Sequence, residues 1–151
     1  MLDDQAPARA SPTNNKRKCL LTGLVFDEQG DRLSPSHSSK GGRRYRYYIS
    51  HRLMQGGNKS DGWRIPADQF ERTVLTELNK FLEDGSRVAN TIHGPDAAPD
   101  KVQDSIRIST RVSQEIRKNQ PPTIYTQVRQ LIERVDINAG QLRIQVSISG
   151  L

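Results

Sequence analysis

The sequence predicts an α+β fold, in which a small antiparallel β-ribbon is followed by helices and a C-terminal β-hairpin. Residues 43–50 and 142–149 are rich in strand-forming side chains or alternate between apolar and polar ones, which is typical of β-strands. Residues 66–135 instead place most of their apolar side chains at helical spacing. Polar segments with glycine or proline separate these stretches, and we expect turns and connectors there.

Three regions follow from this pattern. Residues 1–18 hold only Met1 and Leu2 as large apolar residues, so ordering them would cost backbone entropy with little burial in return, and we expect a disordered tail. Residues 19–66 are expected to form the ribbon. Residues 67–151 are expected to form a helical region that ends in the hairpin.

Two strands are predicted within the ribbon. The stretch CLLTGLVF at 19–26 has strand-like composition, and the polar cluster at 27–31 suits a hairpin turn. After a loop, RRYRYYIS at 43–50 forms the second strand, and residues 53–62 form another loop. Alternation places Arg44, Arg46, Tyr48 and Ser50 on one face of this strand, which we expect to be exposed. The other face is expected to pack with the strand before it, through Leu24, Phe26, Tyr45, Tyr47 and Ile49.

The helical region begins near Pro66, which is tolerated in a first helical turn, and its first helix is expected to end at Gly85. Its apolar stripe consists of Phe70, Val74, Leu75, Leu78, Phe81 and Leu82. Residues 86–100 are expected to be a connector, and residues 101–118 a second helix capped by Asp100. Thr123 caps a short third helix, whose apolar face consists of Ile124, Val128, Leu131, Ile132 and Val135. The turn Asn138-Ala139-Gly140 and the alternation after it predict the terminal hairpin.

Composition excludes several classes of protein. The longest nearly apolar stretch, Cys19 to Phe26, is far shorter than the roughly 18 residues that a membrane span needs. The first 18 residues lack the apolar core of a signal peptide, and the single cysteine cannot form an internal disulfide. We therefore expect a cytoplasmic protein that contacts no membrane.

The positive charge is concentrated in one segment. The chain has a formal net charge of +6, and residues 32–64 alone hold eight basic residues and one acidic residue. Positive charge gathered in this way is typical of a surface that binds a polyanion, which makes nucleic acid the leading class of partner.

Several motifs, in this order along the chain, resemble the recombinase ribbon domain of large serine recombinases, which belong to the resolvase/invertase superfamily. The motif order is more specific than any single motif. The resemblance covers residues 19–84 and, in part, 123–151, where VRQLIERV at 128–135 and the hairpin look like the family's C-terminal ending. The motifs are LLTGL at 20–24, LSPSH at 33–37, KGGRRYRYY at 40–48 and WRIPA at 63–67.

This family usually holds zinc in the ribbon through two cysteine pairs, and those cysteines are missing here. Phe26-Asp27-Glu28-Gln29 stands where the first pair would fall, and Ile49-Ser50 stands near the expected third cysteine. Three other potential ligands, Cys19, His37 and His51, lack paired spacing, whereas a structural zinc site needs about four ligands with tetrahedral reach. We therefore expect a ribbon without metal and without any other cofactor.

No catalytic residue is predicted. The family places its catalytic domain, with a serine nucleophile, ahead of the ribbon, and residues 1–151 contain no such domain. Arg111-Val112-Ser113 echoes the core of the nucleophile motif, but it lies in a predicted polar helix without the arginine cluster that phosphoryl chemistry requires.

The resemblance and the charge together predict the DNA-binding C-terminal portion of a site-specific serine recombinase, with double-stranded DNA as partner. Two alternatives remain open: a protein-interaction module that self-associates through the C-terminal helices, and a protein that binds RNA or single strands through the face of Tyr48, Arg44 and Arg46. The predicted DNA-binding residues are Lys40, Arg43, Arg44, Tyr45, Arg46, Tyr48, Arg52, Lys59 and Arg64.

Overall fold

A computed structural model describes residues 19–56, 62–118 and 123–147, which form two three-stranded sheets and five helices. The predicted fold class is confirmed: antiparallel strands come first, helices follow, and a strand pair ends the described chain. The predicted disordered tail, residues 1–18, lies outside the described residues. None of the described helices is long and apolar enough to cross a membrane.

The strands are β1 (Val25–Phe26), β2 (Leu33–Lys40), β3 (Arg43–Ser50), β4 (Arg64–Pro66), β5 (Ile132–Asn138) and β6 (Gln141–Val146). The helices are α1 (His51–Met54), α2 (Ala67–Glu83), α3 (Gly85–His93), α4 (Pro99–Lys118) and α5 (Thr123–Leu131).

The first sheet is antiparallel and has the order β2-β3-β4. Strands β2 and β3 pair along their whole length, from Leu33 with Ser50 to Lys40 with Arg43. Gly41 and Gly42 join them in a tight turn, with φ angles of 58° and 78° that side chains with a Cβ rarely adopt. The prediction of a loop before β3 was wrong, because backbone hydrogen bonds to β3 hold the serine-rich β2 in place without an apolar pattern of its own.

The second sheet has the order β1-β5-β6 and joins distant parts of the sequence. Strand β1 runs parallel to β5, with Val25 opposite Val135, and β5 and β6 form the predicted hairpin. The strand predicted for 19–26 was wrong over 19–24, where the chain forms turns held by bonds such as that from Leu24 N to Leu21 O, 3.0 Å long. These turns bury Leu20 and Leu21 in the core, so the apolar run serves packing without a strand.

The helices agree with the predicted periods except at their ends. Helix α2 begins after Pro66 as predicted, but the predicted connector is wrong over 85–93, where α3 forms. Asp84 caps α3 by accepting a hydrogen bond from Arg87 N at 3.1 Å. The first residue of α3, Gly85, lies against α4. A side chain would not fit there, because a Cβ added to Gly85 would lie 2.9 Å from Ile106 Cα. Helix α5 ends at Leu131, earlier than predicted, because Ile132 and Val135 belong to β5.

A single apolar core joins the ribbon to the helices. Side chains from the turns at 19–24, from both sheets and from α2, α4 and α5 all contribute to it. The ribbon sheet therefore has one face against α2 and its other face directed away from the core. The fully buried side chains include Leu21, Val25, Leu33, Tyr48, Val74, Leu82, Val128 and Val135.

Candidate nucleic-acid interface

The tip of the β2–β3 hairpin extends beyond the core. Every residue from His37 to Tyr45 is exposed, whereas the opposite end of the hairpin is anchored by the buried Leu33 and Ser50. Three predicted binding residues, Lys40, Arg43 and Arg44, lie at this tip, and no described carboxylate lies within ion-pair distance of them. Their positive charges are therefore available to an external anion.

One face of the first sheet carries most of this charge, and we call it the outer face: Lys40, Arg43, Tyr45, Tyr47 and Arg64. Residues paired across an antiparallel sheet point to the same side, so the register places all five together. The guanidinium carbon of Arg64 lies 4.0 Å from the centroid of the Tyr47 ring, and Tyr45 is 40% exposed. The outer face thus combines three cations with two aromatic rings.

The opposite face of β3 is exposed at Arg44, but from Arg46 to Ser50 it is packed, which overturns the prediction that this part of it is exposed. The Tyr48 ring is fully buried, and its hydroxyl donates to Glu71 Oε2 at 2.6 Å while accepting from Leu21 N at 2.9 Å. Arg46 forms ion pairs with Asp68 and, at 3.3 Å, with Glu71 Oε1. Because two α2 carboxylates satisfy its charge, Arg46 can lie on the packed face, a compensation that strand alternation alone does not reveal.

The electrostatics of this packed face fix its protonation. Burial, together with the Glu71 carboxylate, raises the pKa of Tyr48 far above its ordinary value. Burial also raises the pKa of the Cys19 thiol, although Arg46, whose Nη1 lies 3.6 Å from the sulfur, acts in the opposite direction. For Arg46, burial lowers the pKa, but the hydrogen bond to Asp68 and the charge of Glu71 outweigh it, and the pKa is raised. Arg46 therefore stays charged, while Tyr48 stays neutral.

Arg52 belongs to a second carboxylate group, which we call the Asp27 cluster: Asp27, Asp31, Ser50 and Arg52. The Asp27 side chain is fully buried; its Oδ2 lies 2.8 Å from Arg52 Nη1 and accepts from Ser50 Oγ at 3.0 Å. Its Oδ1 accepts from the backbone N–H groups of Gln29 and Asp31 at 2.9 and 3.0 Å. Arg52 also pairs with Asp31 Oδ2 at 3.2 Å. The cluster ties the turn after β1 to the end of β3.

The Asp27 cluster stands where the resemblance places zinc ligands, and its residues do not fit a metal ion. The segments at 26–29 and 49–50 do meet there, since Asp27 accepts a hydrogen bond from Ser50. The positive charge beside the Asp27 carboxylate, however, is that of the Arg52 guanidinium, which stands where a metal ion would lie. Across the parts of the chain that the structure describes, no three His, Cys, Asp or Glu side chains form a metal-binding group. Cys19, His37 and His51 lie on the N-terminal turns, on β2 and in α1, respectively.

Of the predicted site residues, the structure brings Lys40, Arg43, Tyr45 and Arg64 together on the outer face, with Arg44 beside them at the tip. It places Arg46, Tyr48 and Arg52 in internal contacts, and Lys59 lies outside the described residues. The predicted site residues did not include the half-buried Tyr47 of the outer face. Nor did they include the serines at 34, 36 and 38, which pair with Ile49, Tyr47 and Tyr45. No apolar signal could have revealed β2, because its alternating serines lack the branched and aromatic residues that are typical of strands.

Ser113, the serine of the Arg-Val-Ser motif, lies buried in α4, 3.3 Å from Asn79 Oδ1. Neighbouring buried serines, Ser105 and Ser109, line the same helix face. Small side chains at this spacing allow neighbouring helices to approach α4 closely. The helical interpretation of the motif agrees with this placement.

No family model matches the chain, and no curated protein matches it. Among solved structures, it resembles the protein chain of a large serine recombinase (LSR)–DNA complex, with a TM-score of 0.50 and 15% identity. This match covers 96% of the present chain and 61% of the solved one. A second match comes from a structure concerned with the sequence requirements of the Listeria innocua prophage attP site: TM-score 0.44, 16% identity, covering 95% of this chain and 51% of the other. At 15% identity, the first likeness shows a shared fold.

Proposed function

We propose that this chain is a DNA-binding portion of a protein related to site-specific serine recombinases, and that it holds duplex DNA with the outer face and tip of the β2–β3 hairpin. The observation that carries the proposal is the exposed hairpin tip, where Lys40, Arg43 and Arg44 lie without a described carboxylate partner. The fold likeness to a recombinase solved together with DNA supports it.

The charges that remain available set the strength of binding to phosphate. Arg46 and Arg52 are already paired with carboxylates, so they release few counterions from DNA. Lys40, Arg43, Arg44 and Arg64 remain, and each neutralised phosphate contributes about 0.9 to the logarithmic salt slope on duplex DNA. Four such contacts give a slope of about −3.6.

The other side chains of this sheet face suit the sugar–phosphate backbone. Serine and tyrosine hydroxyls donate hydrogen bonds to phosphate oxygens, and the serines at 34, 36 and 38 share the outer side of the sheet with Tyr45 and Tyr47. The two-stranded hairpin also has the width that the major groove of B-DNA admits. The proposed function is therefore positioning on duplex DNA, and strand-exchange chemistry is assigned to none of the described residues.

The test is duplex binding, measured by fluorescence anisotropy across a series of salt concentrations. The double variant Arg43→Ala/Arg44→Ala should weaken binding and reduce the magnitude of the salt slope by about 1.8, because two phosphate contacts are lost. The matched control Arg107→Ala/Arg111→Ala removes the same charge from the exposed side of α4. It should leave the slope within about 0.5 of wild type.

Two outcomes would contradict the proposal. Equal slopes for wild type and the hairpin variant would show that the tip does not contact phosphate. Competition by a single strand stronger than competition by the same sequence as duplex would instead favour RNA or single-strand binding. The burial of Tyr48 removes the aromatic ring on which that alternative depended, and only Tyr45 offers a substantially exposed ring on the sheet.

A further inference from the structure

The second sheet ends in a strand with a free edge. Among the described residues, β6 pairs with β5 on one side and with no strand on the other. The hairpin turn at 139–140 makes Asn138 and Gln141 the first hydrogen-bonded pair, and such pairs then alternate along the ladder. The N–H and C=O groups of Leu142 and Ile144 therefore point away from β5. They are available to another strand.

A groove with both apolar and polar walls runs beside this edge. Its volume is about 640 Å³, and it lies between β6 and the helices α2 and α3. The half-exposed side chains of Leu142, Ile144 and Val146 form an apolar wall on the β6 side. The helical wall holds Leu78 and Phe81 together with polar and charged residues, among them Glu77, Lys80 and Arg87. A strand added about 4.8 Å beyond β6 would direct every second side chain into this groove.

The sequence of β6 is complementary to itself in the antiparallel direction. If a two-fold axis passes through Ile144, Leu142 faces Val146 of a second copy, and Arg143 faces its Gln145. Apolar residues then lie on one side and polar residues on the other. The Ile144 pair has the hydrogen-bonded geometry that its outward N–H and C=O groups require. A register centred on Arg143 would instead oppose two arginines, which is unfavourable.

We infer that β6 is a self-association surface, at which two copies of this chain pair their β6 strands around Ile144 and join their second sheets into one. Each copy's apolar side chains then cover the groove of the other. This inference is independent of DNA binding, because the outer face belongs to the other sheet.

Sedimentation velocity of the full chain, at low salt and over a range of concentrations, tests the inference. Wild type should form a dimer. Gln145→Glu should lower the dimer dissociation constant, and Gln145→Arg should raise it, each by roughly 2- to 30-fold, because the pair with Arg143 occurs twice by symmetry. The control variants Gln103→Glu and Gln103→Arg, on the exposed side of α4, should leave it unchanged.

A wild-type chain that stays monomeric at the highest concentration reached would overturn the inference, as would equal shifts in the Gln145 and Gln103 variants. Circular dichroism of each variant checks that it is folded. Amide hydrogen exchange of wild type supplies a measurement that needs no variant. The Ile144 amide should become protected as the concentration rises, and an exchange rate independent of concentration would also refute the pairing.

Discussion

Replacing Asp27 with alanine tests whether the Asp27 cluster holds the ribbon together. The substitution removes a fully buried carboxylate that accepts two backbone hydrogen bonds and one from Ser50, and it leaves Arg52 without its shorter ion pair. Breaking a buried pair by removing one partner costs about 3–5 kcal/mol. Asp31 still pairs with Arg52 at 3.2 Å, so we expect the lower end of that range, about 3 kcal/mol.

Urea unfolding followed by circular dichroism measures the cost, and a thermal melt should show a fall in Tm of about 6–12 °C for a chain of this size. Asp27→Asn keeps an acceptor oxygen but loses the charge, so its loss should be intermediate. Asp96→Ala, at an exposed aspartate in a turn, is the control and should change stability by less than about 0.5 kcal/mol.

A loss below about 1 kcal/mol in Asp27→Ala would refute the argument, because a buried ion pair that supports the ribbon cannot be removed at the cost of a surface contact. The same melts with and without EDTA address the metal. They should coincide for wild type, since Arg52 and two backbone N–H groups already satisfy the carboxylate.

Three further predictions concern the packed face of β3 and the packing of the helices. Tyr48→Phe should destabilise the protein by about 1–3 kcal/mol, because it removes the Tyr48 donor to Glu71 and takes away the hydroxyl that accepts from the buried Leu21 N–H. The raised pKa of Tyr48 means that the folded state keeps a proton that the unfolded chain releases above about pH 10. Wild-type stability should therefore fall as the pH rises past that value, and urea unfolding between pH 8 and pH 11 should show a shallower decline in Tyr48→Phe. Gly85→Ala should cost about 1–3 kcal/mol in the same assay, because the added methyl group meets the backbone of Ile106, whereas the neighbouring exposed Ser86→Ala should be nearly neutral.

Local patterns were sufficient to predict the elements that have a strong period. Helix α2 and the terminal hairpin could be predicted from spacing alone, because their apolar side chains face one core. Strand β2 could not, since its serines and histidine carry no apolar alternation and its conformation depends on pairing with β3. Helix α3 was not predicted, because glycine usually ends helices, whereas Gly85 here begins one and permits close contact with α4.

The candidate site was predictable in location but not in orientation. The concentration of charge indicated the segment at 32–64, and the register places Lys40 opposite Arg43 at the tip of the hairpin within it. The alternation of β3 separated two faces correctly, yet both carry arginines and tyrosines, so composition could not show which one packs. The face with Arg46 packs because Asp68 and Glu71 neutralise its charge. These two carboxylates lie one turn apart on α2, in a distant part of the sequence.

The short parallel pairing of β1 with β5 has a consequence for biosynthesis. Val25 meets Val135, so the ribosome must extend the chain by 110 residues before this ladder can close. Contacts between residues so far apart in sequence slow folding, because the entropy of the intervening loop must be lost first. Until then the side chain of Val25 lacks its partner in β5, and chaperones would have an apolar surface to bind.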